Sequence, residues 1–248
     1  MKAYTIDINC DVGEGIGNEA ELLPMISSCN IACGGHAGDV NTMTKVVRLA
    51  KENQVKVGAH PSYPDPENFG RISMDISSDV LITSIQNQME SFTSILKKEK
   101  VKMHHIKPHG ALYNDIAKDA SLAKIFLKSI LNFKDIIFLY VPFNSVIENE
   151  ALKQNFKIKN EAFGDRNYNE DLSLVSRKLP NAVLEKPEEV LPHLLSMVKE
   201  EQLKASDGSI IKVKADTYCI HGDTPSALQI LTYLSKELPK HNIAIARG

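Results

Sequence analysis

Along the chain, short apolar or alternating runs are followed repeatedly by stretches in which apolar residues recur every three or four positions. The first pattern is that of a buried or half-buried strand, the second that of an amphipathic helix. Strands are accordingly predicted at residues 4–9, 28–32, 56–60, 103–107, 136–141, 157–162 and 217–220. Helices are predicted at 41–53, 78–98, 121–130, 144–154, 187–200 and 226–238. Regular alternation of the two predicts a mainly parallel sheet with crossover helices. Seven strands fit a closed or nearly closed sheet, so the expected fold is α/β, a (β/α) barrel.

Two stretches break the pattern and read as functional loops: 61–73, rich in Pro and Asp, and 164–183. A turn at 205–208 leads into residues 209–214. No Pro/Gly/Ser linker, charge block or internal repeat divides the chain, which predicts one domain over residues 1–248. That length suits a single barrel of about 250 residues.

Composition narrows the class. Hydrophobic residues make up 43% and charged residues 24%, as in ordinary soluble domains. The net charge of −2 is spread along the chain and offers no basic stripe, so nucleic acid is not an expected partner. No apolar stretch approaches the roughly 18 residues of a membrane span, and residues 1–10 lack the features of a signal peptide. Cys10, Cys29, Cys33 and Cys219 contain no C-x2-C pair and read as free thiols in a reducing compartment. A cytoplasmic location is expected.

The chemistry gathers where strands end, which is where parallel α/β folds bind ligands. Asp7, Asn9 and Asp11 alternate and therefore share one face of the first strand. Their carboxylates suit a metal, a general base or, more simply, a turn cap. After the second strand, Gly34, Gly35 and Gly38 surround His36, leaving main-chain N–H groups to hold an anion. This cluster lacks the spacing of a nucleotide loop. Asp39 stands where it can cap the next helix.

His60 ends the third strand, and Arg71 on the following loop is either a fork for a carboxylate or phosphate or a plain surface residue. Lys107 ends the fourth strand just before His109-Gly110; a lysine pointing into a barrel is desolvated unless it binds an anion. His104 and His105 receive no role. Asp165-Arg166 follows the sixth strand, where a loop ion pair is the alternative. His221 and Asp223 follow the last strand; helix capping accounts for Asp223 or Thr224 but not for His221. Six such clusters at strand ends point to one pocket of convergent ionisable groups.

The segments DINCDVGE, NIACGGHAGD, GAHPSYPD with NFGR, IKPHGALYN, EAFGDRNY and CIHGDTPSA occur in the order typical of the LamB/YcsF family and resemble its signature over residues 5–227. Three positions depart from the usual wording: Gly35 replaces a Phe, Ile72 an Arg, and Glu170-Asp171 an Asp-Gly pair. The resemblance implies a distorted barrel similar to glycoside hydrolase and deacetylase-like barrels. It also implies ATP-dependent 5-oxoprolinase activity, opening 5-oxo-L-proline to L-glutamate, with two partner subunits, B and C. ATP is then a co-substrate, accompanied by Mg.

On this reading Asp11, His36, Lys107, His109 and His221 are the expected catalytic residues. Asn9, Gly34, Gly38, Asp39, His60, Arg71, Asp165, Arg166 and Asp223 are expected to bind substrate. Lys107, Arg71 and the Gly34–Gly38 amides would hold carboxylate and phosphate, while Asp11 with His36 or His221 activates water. Without a nucleotide fingerprint, ATP is expected on a partner or at a subunit interface. Two other readings stand beside this one. A metal-dependent amide hydrolase or deacetylase would draw ligands from Asp11, His36 and His60, with His109 and His221 in reserve. A 5-oxoproline-binding subunit would have no catalytic role.

Overall fold

The computed structural model describes residues 2–224 and 226–247. Its strands are β1 (Tyr4–Val12), β2 (Ser28–Ala32), β3 (Lys56–His60), β4 (Met103–Ile106), β5 (Phe138–Pro142), β6 (Ile158–Phe163), β7 (Gln202–Lys204), β8 (Ile210–Lys212), β9 (Thr217–Cys219) and β10 (Ile243–Ile245). The helices are α1 (Glu19–Leu22), α2 (Val40–Glu52), α3 (Ser78–Glu99), α4 (Gly110–Ile116), α5 (Ala120–Ser129), α6 (Val146–Lys153), α7 (Pro187–Glu200) and α8 (Ala227–Glu237). None of these helices is long and apolar enough to cross a membrane.

Strands β1 to β6 pair in parallel in chain order, and β9 joins β6 to β1, closing a seven-stranded barrel. This is the expected barrel, with all seven predicted strands in it. The additional strand β10 pairs with residues Tyr4–Ile6 of β1. At its end the Ser27 hydroxyl donates to the Ala246 carbonyl at 2.7 Å. The turn after residue 204 belongs to the antiparallel hairpin β7–β8, outside the barrel. The short helix α4 was not foreseen; its sequence GALYNDI shows too few turns for a period to register.

Strand alternation divides the barrel into two chemistries. One set of side chains, including Ile6, Ile8, Cys10, Ile31, Val57, Ala59, Ile106, Leu139 and Val141, is buried in the apolar cluster with Val46, Val47, Ile85, Phe92, Phe126 and Ile230 of the helices. The other set points inward and is largely polar. Asp7 accepts hydrogen bonds from Ser28 and Thr217 at 2.7 and 2.8 Å. Asn9 donates to Glu161 and Thr217 and accepts from Asn30. Hydrogen bonds among inward side chains, mostly between neighbouring strands, therefore replace the apolar layers that usually fill such a barrel. All four cysteines are buried and free, as expected.

His105, given no role from the sequence, fills part of this interior. It is fully buried, stacks on Tyr140 at 4.0 Å between ring centroids, and meets Asn30 Oδ1 at 2.6 Å. The ring occupies the space over Gly58, where a Cβ would lie 2.1 Å from Nε2. Held on two sides, it has no room to retreat. Gly58→Ala is therefore expected to lower stability by about 1–3 kcal/mol, measurable as a fall in the denaturant midpoint with unchanged slope.

Candidate active site

At the carboxyl ends of the strands a cleft of about 620 Å³ opens between the loops that follow β1, β3, β4, β6 and β9. Its floor is Lys107, which is 2% exposed. The ammonium lies 3.0 Å from both Asp11 Oδ1 and Glu161 Oε1, and it donates to Cys219 Sγ at 3.1 Å. Burial by itself would strip the proton from such a lysine, but Asp11, Cys219 and Glu161 reverse the effect and hold its pKa well above the ordinary value. Burial would likewise raise Asp11, yet His60 and Lys107 keep it well below the usual carboxylate range. Both groups are thus charged together inside the barrel.

Beside this pair lies a histidine cluster. The rings of His36 and His109 stack at 3.6 Å, almost parallel, and His60 meets both edge-on. Glu14 Oε1 sits 2.9 Å from His36 Nε2 and 3.3 Å from His109 Nδ1. Burial pushes His36 down to about 3 and holds His109 well below its usual value. Burial and the charges of Asp11 and Asp223 push Glu14 up. The turn after β2 sets His36 in place. Gly38 has φ +85°, and a Cβ there would lie 2.3 Å from the Ala32 carbonyl, so only glycine closes this turn.

On the opposite side, Asp165 accepts hydrogen bonds from both the His221 backbone N–H at 2.8 Å and Nδ1 at 2.9 Å. The imidazole stacks on Phe163 at 5.2 Å. With Nδ1 directed at the buried carboxylate, Nε2 is the nitrogen left for chemistry. Although burial raises Asp165, its contacts with His221 leave it below its ordinary pKa. At the rim Arg71, partly exposed, is paired with Asp223 and lies over Phe69 at 4.8 Å. Arg177 and Lys178, from the loop at 164–183, add further positive charge to the cleft lining.

The LamB/YcsF sequence profile matches residues 6–248. This chain belongs to the LamB/YcsF family. It is 40% identical over 245 residues to the 5-oxoprolinase A subunit of Pyrococcus horikoshii, with 97% of this chain and 96% of that protein covered. It is 39% identical to the protein of the same name from Staphylococcus epidermidis, with 97% of each chain covered. Among solved structures, the lactam utilization protein of Thermus thermophilus superposes with a TM-score of 0.91 at 34% identity, covering 98% of this chain and all of the other. A T48 deacetylase shares the barrel at TM-score 0.51 and 10% identity, covering 98% of this chain and 88% of that one, a likeness of fold alone.

Within this LamB/YcsF barrel the structure brings together Asp11, His60, Arg71, Lys107, His109, Arg166, His221 and Asp223 along the cleft, with His36 behind His109. Asn9 lies one layer below, 3.5 Å from the Lys107 ammonium. The expectations for Asp39, Gly34 and Arg166 need correction. Asp39 caps α2, accepting from Thr42 N at 2.7 Å on the exposed surface. The Gly34 amide is already donated to the Ala37 carbonyl, so it is closed within the turn and not open to an anion. Of the candidate metal ligands, His36 and His60 group with Glu14 and His109 and Asp11 groups with Cys219 and His221, while Asp11 Oδ2 stays 3.3 Å from His60 Nε2. Arg166 turns its guanidinium toward the Ala182 and Val175 carbonyls, bracing the loop instead of pairing with Asp165.

Glu14, Glu161 and Arg177 were missed as site residues. Glu161 shares the inward parity of Phe163 on β6, a signal visible in the sequence. Of the departures from family wording, Ile72 lines the cleft, and Gly35 packs where a Cβ would meet Ser62 Oγ and Gln88 Oε1 at 2.4 and 2.5 Å. Asp171 accepts from Ser173 N at 2.9 Å and organises its loop.

Asp165 provides a test. Because its folded-state pKa is depressed, its contribution to stability is complete above the ordinary aspartate value and fades as pH falls through the lower folded value. Asp165→Asn is expected to cost about 1–3 kcal/mol at neutral pH. The gap from the parent chain should narrow below about pH 4, as read from chemical denaturation across pH.

Proposed function

We propose that this chain is the lactam-opening subunit of a 5-oxoprolinase, converting 5-oxo-L-proline to L-glutamate with ATP supplied through partner subunits B and C. The observation that carries the proposal is the Lys107 ammonium held between Asp11 and Glu161, facing an Asp165–His221 dyad across one cleft. The 5-oxoprolinase relatives align over nearly the whole chain and support it.

A lactam resists hydrolysis because opening it breaks amide resonance. Transfer of the γ-phosphoryl of ATP to the lactam oxygen produces an imidate-like electrophile and ADP. Water then adds to the ring carbon. Expelling phosphate from that adduct would only regenerate the lactam, so the C–N bond must break first. Nitrogen leaves as the amine and a γ-glutamyl phosphate forms, which a second water cleaves to glutamate and phosphate.

The residues fit these demands. Arg71 and Arg177 at the cleft rim are suited to the substrate carboxylate. Lys107 stabilises the negative charge of the phosphoryl group carried on the lactam oxygen. Asp11, kept ionised, accepts a proton from the attacking water, and His221 returns one to the ring nitrogen through Nε2. With no nucleotide fingerprint in the sequence and the Gly34 amide closed within its turn, ATP, with Mg, is assigned to the partner subunits or to their interface with this chain. A cytoplasmic location agrees with an ATP-coupled reaction.

In the reconstituted complex of this chain with B and C, Asp11→Asn and His221→Ala should each lower ATP-dependent glutamate release by about 10²–10⁴-fold, with co-purification of the three subunits unchanged. Full release by both variants would leave this chain as a substrate-binding subunit only.

A further inference from the structure

Hydrogen-bond bookkeeping around the histidine cluster leads to a site that the ring-opening scheme does not use. His60 Nδ1 lies 2.7 Å from the Lys107 backbone carbonyl, which can only accept, so Nδ1 carries the hydrogen; in the neutral ring Nε2 then presents a lone pair, with Asp11 Oδ2 3.3 Å away. His109 Nε2 lies 2.9 Å from the Phe69 carbonyl, so by the same reasoning its lone pair is on Nδ1. Ser62 Oγ donates its single hydrogen to the Tyr63 carbonyl at 2.8 Å. It must therefore accept from His36 Nδ1 at 3.0 Å, leaving the third lone pair on His36 Nε2.

The three ring nitrogens gather around a carboxylate, with the His36 and His109 rings stacked in parallel, so one of those rings must tilt for both lone pairs to meet a single ion. His109 Nδ1 is 2.9 Å from His60 Nε2, and His36 Nε2 is 2.9 Å from Glu14 Oε1. Glu14 Oε1 is in turn 3.3 Å from His109 Nδ1 and 3.9 Å from His60 Nε2. Four acceptor atoms at such separations repel unless positive charge lies among them. Ligands about 2.0–2.1 Å from a tetrahedral zinc stand about 3.3 Å apart, the middle of the observed range.

We propose that Glu14, His36, His60 and His109 form a binding site for one divalent transition-metal ion, of the zinc class. Two shared protons would supply the same charge, but they need only pairwise alignment. Here four ligand atoms come from four separate segments, and each imidazole is oriented from behind by its own acceptor: a backbone carbonyl for His60, another for His109 and a hydroxyl for His36. Such outer partners are what fix metal-ligating histidines in orientation and tautomer. Three imidazoles and a carboxylate suit zinc or cobalt better than magnesium or calcium. Glu14, His60 and His109 line the cleft, so an ion there would polarise a substrate carbonyl or hold a water against it. The site stands whether or not the substrate is a lactam.

The test is binding, not turnover. The full chain is stripped with a chelator and titrated with Co²⁺, then with Zn²⁺, and bound metal is measured by mass spectrometry after desalting. One equivalent per chain is expected, with the intense visible band of low-coordinate Co²⁺, lost when Zn²⁺ displaces it. Glu14→Gln and His109→Gln should abolish the band, and Ser62→Ala should weaken affinity about 10–100-fold. Failure of the parent chain to retain stoichiometric metal would show that shared protons fill the cluster and overturn the proposal. Equal retention by correctly folded Glu14→Gln and His109→Gln chains would place the metal elsewhere and overturn it as well. Should either variant not fold, the stoichiometry and spectrum of the parent chain decide.

Discussion

Everything at the mouth of this barrel depends on one positive charge kept out of water. Lys107, buried beneath the cleft, is surrounded by Asp11, Glu161, Asn9 and Cys219, contributed by β1, β6 and β9. A buried ammonium without partners would be lost as a charge; with two carboxylates it is retained. The partners are held in turn by hydrogen bonds with Thr217 and Asn30 on the strands flanking β1. The polar interior is the support that this charge requires.

Around it the cleft divides into two halves. On one side Asp165 orients His221 for proton transfer. On the other, three histidines gather around Glu14, each imidazole anchored from behind. Lys107 connects them, because its backbone carbonyl orients His60 while its side chain reaches Asp11. One residue thus links the electrostatics of the floor to the geometry of the histidine wall.

The barrel was legible in the sequence because its strands and helices carry clear and different periods. The seven barrel strands lie where apolar runs place them, whereas β10 has no following helix among the described residues to complete the strand-then-helix pattern. Much of the site was legible too, because Asp11, His60, Lys107 and His221 sit at strand ends. Glu14 was not: it lies beyond the β1 alternation, and only folding of the turn carries it over to His36. Asp39 and the Gly34 amide were read as ligand-binding because capping and turn closure use the same residue types as anion and metal sites. Composition does not separate those roles. Partner geometry does.

A buried charge network of this kind is costly to stability and worth retaining only for chemistry. Equilibrium unfolding of Lys107→Met, of Asp11→Asn with Glu161→Gln, and of the triple variant measures that directly. Removing either side alone should cost about 3–5 kcal/mol, because it leaves the opposite charge buried and unpaired. The triple variant should regain most of that loss while remaining inactive in the reconstituted complex. Losses that simply add in the triple variant would contradict the account, since Lys107 and its carboxylates would then not depend on one another.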